Sequence, residues 1–72
     1  MRDEIIRLVS EAIETDIISV QLDGNRALIE VTSIAFEGLS RVQRHQLVYG
    51  CIEHLIADGS LHAVTVRPSV PE

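Results

Sequence analysis

Two alternating runs joined by a short polar turn constrain the fold of this 72-residue chain more than any other feature. Apolar and polar residues alternate on both sides of the turn Asp23-Gly24-Asn25-Arg26. The alternating apolar positions are Ile18, Val20 and Leu22 before it and Ala27, Ile29 and Val31 after it. Because successive side chains of a strand point to opposite faces, each run predicts a half-buried strand. The simplest arrangement is an antiparallel pair.

A first helix is predicted ahead of the strands, from Asp3 to about Glu14. Asp3 can cap its start, and Asp3 and Arg7 are four residues apart, which suits an ion pair on a helix surface. Its apolar residues recur at helical spacing. They are Ile5, Ile6, Val9, Ala12 and Ile13.

A second helix is predicted to begin at Ser40. Ser40 and Gln43 fit a capping box, in which the two side chains satisfy free backbone N–H groups at a helix start. Gly59 stands where a left-handed residue would end the helix. Gly50 interrupts it at a cost of about 1 kcal/mol relative to alanine, so we expect another backbone to pack closely there. The predicted buried stripe is Val48, Cys51, Ile52, Leu55 and Ile56.

The remaining segments complete an α+β fold. Residues 33–39 have no sustained period and predict a loop in which Phe36 fills the core. Leu61 to Arg67 predicts a third strand, closed by Pro68. The order helix-strand-strand-helix-strand suggests a small three-stranded sheet with both helices packed on one face. We therefore expect a single domain over residues 1–67 and a short C-terminal tail over 68–72.

Charge and composition narrow the function classes. The net charge of −5 repels phosphate, and one Phe, one Tyr and no Trp leave few platforms for stacking bases. Cys51 is the only cysteine, so no internal disulfide can form. The charged N-terminus and the absence of a long apolar run predict a cytoplasmic protein without a membrane span.

The histidines and the cysteine are the candidate ligands. His62 opens the predicted third strand, where an imidazole can present a nitrogen to a metal, although an isolated histidine is more often a surface or packing residue. His45 and His54 are nine residues apart, which is not the spacing of a zinc pair on one helix. Cys51 falls in an apolar stripe and is better explained by core packing.

A basic cluster lies in the first turns of the predicted second helix. Arg41, Arg44 and His45 lie where the helix dipole adds to the attraction for an anion or an acidic partner. The same residues equally fit a solvated helix face. No nucleophilic triad, paired-carboxylate site or phosphate-binding glycine loop can be assembled, so we do not expect an enzyme.

The segment Phe36 to Tyr49, with sequence FEGLSRVQRHQLVY, and the later Leu61-His62-Ala63 resemble the core signature of the BolA family. The resemblance combines an F-x-G turn, an R-H pair, a V-Y pair and a downstream H-A. It extends to the predicted element order over nearly the whole chain. Among the branches, the bacterial IbaG-like branch is nearest, through Ser40-Arg41-Val42 and Val48-Tyr49-Gly50.

This resemblance implies a fold similar to class II KH domains and a non-enzymatic partnership with a monothiol glutaredoxin. In such complexes a 2Fe-2S cluster is shared with a glutaredoxin thiolate and glutathione, and His62 matches the histidine ligand of the BolA-like partner. No cofactor is expected in the isolated protein. The alternative is a KH-like, DNA-binding transcriptional regulator in stress response or cell morphology, with Arg41, Arg44 and His45 on phosphates. Arg26 is assigned with these three residues to the predicted partner or nucleic-acid surface. The isolated protein is expected as a monomer or weak homodimer.

The first strand turn departs from the family pattern. The family often places a second ligand, His or Cys, in the loop between the first two strands, and Arg26 occupies about the position where related bacterial members carry His. A protonated arginine has no free lone pair with which to ligate iron. Either Asp23 or a water substitutes, or the cluster lacks one family ligand, or this member binds glutaredoxin without sharing a cluster.

Overall fold

Two α-helices and a three-stranded mixed sheet make up the structure, a computed structural model that describes residues 1–71. The predicted order of elements is confirmed, with a single 3-10 turn added before the second helix. The elements are α1 (Arg2–Ala12), β1 (Ile17–Asp23), β2 (Arg26–Thr32), the 3-10 turn (Ile34–Phe36), α2 (Arg41–Ala57) and β3 (Ala63–Ser69).

The predicted hairpin sets the geometry of one end of the sheet. β1 and β2 pair antiparallel, and Asp23 lies opposite Arg26, so Gly24 and Asn25 alone make the turn. Gly24 has a φ of 61°, a left-handed conformation that glycine adopts without steric cost. β3 then pairs parallel to β2, with Ala63 opposite Arg26. The start of β3 therefore lies beside the hairpin turn.

Both helices pack on one face of the sheet and share a single core with it. α1 contacts β1 and α2, and α2 also contacts β3. The core residues of the helices are Ile5, Val9, Val48, Ile52 and Leu55, and those of the strands are Val20, Ala27, Ile29, Val31 and Val66. The strand residues alternate along the chain, which confirms the period-two pattern. Neither helix of residues 1–71 has the length and apolar character needed to cross a membrane.

Two buried side chains anchor the connection between β2 and α2 to the interior of the domain. Phe36 is completely buried, as predicted, and belongs to the core. Ser33 is also completely buried; its hydroxyl accepts a hydrogen bond from the backbone N–H of Ala35 (3.0 Å) and donates one to the carbonyl of Glu14. The segment is thus anchored by one apolar and one polar side chain, and a 3-10 turn forms between them.

The start of α2 is confirmed in detail, whereas that of α1 differs from the prediction. The Ser40 hydroxyl accepts from the backbone N–H of Gln43 (3.2 Å), and the Gln43 side chain accepts from that of Ser40 (2.9 Å). In α1, Met1 occupies the capping position, so Asp3 lies within the first turn and does not cap the helix. An ion pair four residues apart links Arg7 to Glu11 (3.6 Å) in place of the expected pair with Asp3.

The first helix was predicted too long at its C-terminal end, and the buried stripe of the second was predicted too wide. α1 stops at Ala12, because Ile13 already has extended backbone angles and reaches the core from that conformation. In α2, Cys51 is only half-buried and Ile56 is 39% exposed, so the buried stripe is narrower than predicted. The fully buried residues of α2 are therefore Val48, Ile52 and Leu55, and the half-buried Cys51 packs against the same core.

The predicted boundary at residue 67 is wrong. β3 runs from Ala63 to Ser69, and Pro68 lies within it opposite Val31. A proline is tolerated because β3 is an edge strand, where an outward-facing N–H is not needed for the ladder. Val70 packs against the core as well. Of the predicted tail, residues 68–70 thus belong to the folded domain, and Glu72 lies outside the described residues.

Gly50 contradicts the expectation of a close backbone contact. It is exposed in the middle of α2, and an added Cβ would meet no atom within 4 Å. Because alanine favours helices over glycine, Gly50→Ala is expected to raise the free energy of unfolding by about 1 kcal/mol, measured by urea denaturation. Gly59→Ala is the matched control and should destabilise, because Gly59 has a φ of 84°. A destabilised Gly50→Ala would contradict the prediction.

Candidate functional site

His62 lies at the end of the sheet that carries the hairpin turn. It is in the bend between α2 and β3, one residue before the strand that it was predicted to open. Its backbone N–H donates to the carbonyl of Asn25 (2.8 Å), and the N–H of Ala63 contacts the same carbonyl (3.4 Å). The side chain of His62 is exposed. The backbone is therefore anchored to the turn while the residue itself faces solvent.

The neighbouring donors at this end are poor ligands for iron-sulfur iron. The turn provides Asp23, Asn25 and Arg26, all exposed, and none carries an imidazole or a thiol. A guanidinium offers only N–H donors and no lone pair. Within residues 1–71, no three His, Cys, Asp or Glu side chains are grouped so that they could hold a metal ion. At this end of the sheet, His62 is thus the one side chain that could ligate cluster iron, and any other ligands would have to come from a partner.

The predicted surface residues do not form one site. Arg26 lies beside His62, whereas Arg41, Arg44 and His45 lie at the other end of β3. With Leu39, Val66, Arg67 and Pro68 these three line a groove of about 510 Å³, here called the basic groove. His54 is exposed on α2 and does not share the contacts of His45. The structure therefore separates the candidate ligand from the basic cluster.

Side chains of α2 cover the outer edge of β3, which sequence reasoning missed. The Tyr49 hydroxyl donates to the carbonyl of Val64 (2.8 Å), and Nε2 of His45 lies 3.1 Å from the carbonyl of Val66. Nε2 must carry the hydrogen, because a carbonyl only accepts. The rings of His45 and Tyr49 meet edge to face with centroids 6.5 Å apart. Their spacing of four residues, which puts two polar aromatic rings on one helix face, was the available signal.

Arg44 and Cys51 also have structural contacts. Nε of Arg44 donates to the carbonyl of Leu39 (3.0 Å), which fixes the guanidinium at the start of α2. The thiol of Cys51 donates to the carbonyl of Leu47 (3.2 Å), and burial raises the pKa of that thiol. A thiol with a raised pKa is a weak nucleophile at neutral pH. The prediction that Cys51 serves packing is in keeping with these contacts.

The fold and the sequence together define the class of protein: the chain belongs to the BolA-like family, whose sequence model, described as BolA-like protein, matches residues 24–72. It is 32% identical over 69 residues to the acid stress protein IbaG of Escherichia coli strain K12, covering 96% of this chain and 82% of that protein. It is 33% identical over 85 residues to the UV-induced protein uvi31 of Schizosaccharomyces pombe, covering 94% and 82%.

A solved structure agrees with this assignment. BolA1 from Arabidopsis thaliana superposes with a TM-score of 0.88 at 22% identity, over 97% of this chain and 90% of that chain. At this identity the likeness shows the fold. The resemblance inferred from the segment Phe36 to Tyr49, including the nearness to IbaG, is confirmed by the family match and the curated relatives.

Proposed function

We propose that this chain is a non-enzymatic adaptor that binds a monothiol glutaredoxin and takes part in the assembly, transfer or sensing of a 2Fe-2S cluster. The cluster is cargo, shared between the two proteins and a glutathione. His62 is the ligand that this chain contributes. The proposal follows from the family resemblance and is supported by the surroundings of His62.

The observation that carries the proposal is the combination of a fixed backbone and an exposed side chain at His62. The hydrogen bond from the N–H of His62 to Asn25 (2.8 Å) holds its backbone against the hairpin turn. A ligand on a fixed backbone loses less conformational freedom when it binds a metal. Among residues 1–71, neither the three strands nor the hairpin turn carries another histidine or a cysteine. A partner approaching the turn would therefore meet one imidazole.

An imidazole gives the shared cluster particular properties. A neutral imidazole ligates iron through one nitrogen lone pair and brings no negative charge, unlike a thiolate. Replacing a thiolate by histidine raises the reduction potential of a 2Fe-2S centre. A single ligand from this chain also leaves fewer bonds to break when the cluster moves to a recipient. Both effects suit a cluster that is transferred or sensed.

The DNA-binding alternative is less favoured. A net charge of −5 opposes the approach of a phosphate backbone, and KH domains clamp nucleic acid with a G-x-x-G loop that this sequence lacks. His45 is engaged by the backbone carbonyl of Val66 through Nε2. These features do not favour a role as a transcriptional regulator.

The test mixes the protein with a glutathione-loaded monothiol glutaredoxin that carries its cluster, and records visible absorption and circular dichroism. Wild type should change the spectrum, whereas His62→Ala should lose the change, because no imidazole remains near the turn. His54→Ala removes an equally exposed histidine and is the matched control. It should behave as wild type.

Three results would reject cluster sharing through His62. The first is a spectrum that wild type leaves unchanged. The second is the same new spectrum for wild type and His62→Ala. The third is a spectral change that is lost equally in His62→Ala and His54→Ala. Size-exclusion chromatography of each mixture shows separately whether the two proteins associate.

A further inference from the structure

The basic groove concentrates the positive charge of an acidic protein. The chain has six arginines and no lysine against 11 acidic residues, and three of the arginines, Arg41, Arg44 and Arg67, line this one groove. Within residues 1–71 the salt bridges are confined to α1, so none neutralises an arginine of the groove. The groove is therefore a local positive site on a surface that is otherwise strongly negative.

The walls of the groove are held in place by hydrogen bonds. Arg44 is tied to Leu39 and His45 to Val66 by the contacts given above, and the capping box fixes the start of α2. Arg44 uses only Nε in its contact, so its two terminal NH₂ groups remain available to a carboxylate. Guanidinium groups bind carboxylates through paired N–H donors, and a fixed guanidinium loses little freedom in doing so.

An apolar surface continues from the groove along α2. Leu39 lines both the basic groove and a second cavity of about 370 Å³, whose other walls are Gln43, Gln46 and Leu47. Leu47 is 43% exposed. Cationic and apolar surfaces thus adjoin at the first half of α2. A ligand that satisfies both must carry negative charges and apolar side chains together.

We infer that the basic groove and the adjoining apolar cavity form a docking site for an acidic peptide segment of a partner protein, with aliphatic side chains between its carboxylates. Carboxylates pair with Arg41, Arg44 and Arg67, and an aliphatic side chain packs on Leu39 and Leu47. Charge complementarity selects this occupant, because the negative remainder of the surface repels the same segment elsewhere.

This site is independent of the proposed cluster function. His62 precedes β3 and Arg67 lies near its other end, about 16 Å away at the rise of a β-strand. A peptide bound in the groove would leave the hairpin turn open. The experiment below uses the isolated chain, so a negative result would leave cluster sharing untouched.

The test titrates the ¹⁵N-labelled full chain with a peptide of glutamates that has leucine at every fourth position. Amide shifts should change around Leu39 and Leu47, and binding should weaken as salt is added. Arg41→Glu should weaken binding by at least about tenfold, because it places a like charge against the peptide. Arg7→Glu is the matched control: it makes the same charge change on α1 and should weaken binding by less than about twofold.

Further binding measurements distinguish the acidic peptide from other possible ligands of the groove. A peptide with glutamine in place of glutamate should bind at least about tenfold more weakly, and Leu47→Ser should weaken binding of the glutamate peptide by about fivefold. The inference is overturned if Arg41→Glu and Arg7→Glu weaken binding equally, or if the shifts centre on His62. It is also overturned if inorganic phosphate reproduces the shifts with the same affinity, or if a DNA duplex binds the groove more tightly than the peptide.

Discussion

Replacing Phe36 by alanine is expected to lower the free energy of unfolding by about 3–5 kcal/mol. Phe36 is completely buried and is the only phenylalanine in the chain. It holds the connection between β2 and α2 in the core, so its loss leaves a cavity that the short 3-10 turn cannot fill. Domains of 72 residues are stable by about 4–11 kcal/mol, so this one substitution removes much of the stability.

Urea denaturation followed by far-UV circular dichroism measures the effect. Ile34→Ala is the control, because Ile34 belongs to the same 3-10 turn but is 53% exposed. It should destabilise by about 1 kcal/mol or less. Equal losses in the two variants would show that the turn, and not the buried ring, determines the stability.

Replacing Arg26 by histidine is expected to prolong the life of the shared cluster by at least about tenfold in the glutaredoxin complex. Arg26 lies opposite Ala63, next to His62, and its side chain is exposed. Histidine there adds a second imidazole at the end of the sheet that already carries one. The prediction rests on the proposed function, because it needs the cluster to be bound through His62.

The measurement follows the loss of visible absorption after a chelator or an apo-acceptor is added to the complex. Arg7→His provides the control, since it adds a histidine on α1 and should leave the rate unchanged. Arg26→His combined with His62→Ala should return the rate to that of a one-ligand complex. If Arg26→His and wild type lose the cluster at the same rate, the hairpin turn does not face the cluster.

Local signals predicted most of the fold. The capping box at Ser40 and the alternation around the hairpin each depend on residues that are close in sequence, and the structure confirms both. Phe36 could be assigned to the core because it is the largest apolar residue of a loop that has no sustained period. The order of the elements then follows from the order of these signals.

The predictions that failed depended on neighbours that are distant in sequence. Pro68 suggested a strand end, but its effect depends on whether β3 lies at an edge, which only the sheet order reveals. Gly50 suggested a close backbone contact, yet that face of α2 is open. Ile56 has the spacing of a core residue but is 39% exposed, because spacing along a helix does not show how wide a face its neighbours cover.

The sequence indicated the candidate residues but not which of them lie close together in the fold. His62 and Arg26 are 36 positions apart, and only the parallel pairing of β2 with β3 brings their segments together. The same pairing places Arg67 near the start of α2. Arg67 therefore lines one groove together with Arg41 and Arg44. No short-range pattern contains this information, because it arises from the crossover through α2.

The covered edge of β3 has a consequence for self-association. The carbonyls of Val64 and Val66 already accept hydrogen bonds from Tyr49 and His45, and Pro68 has no N–H to donate. A strand from another molecule would therefore find few partners there. At the opposite edge, Arg2 donates to the carbonyl of Val20 on β1 (3.1 Å). Growth into cross-β aggregates at high concentration is therefore discouraged most at the β3 edge, and less at the β1 edge, where one carbonyl is covered.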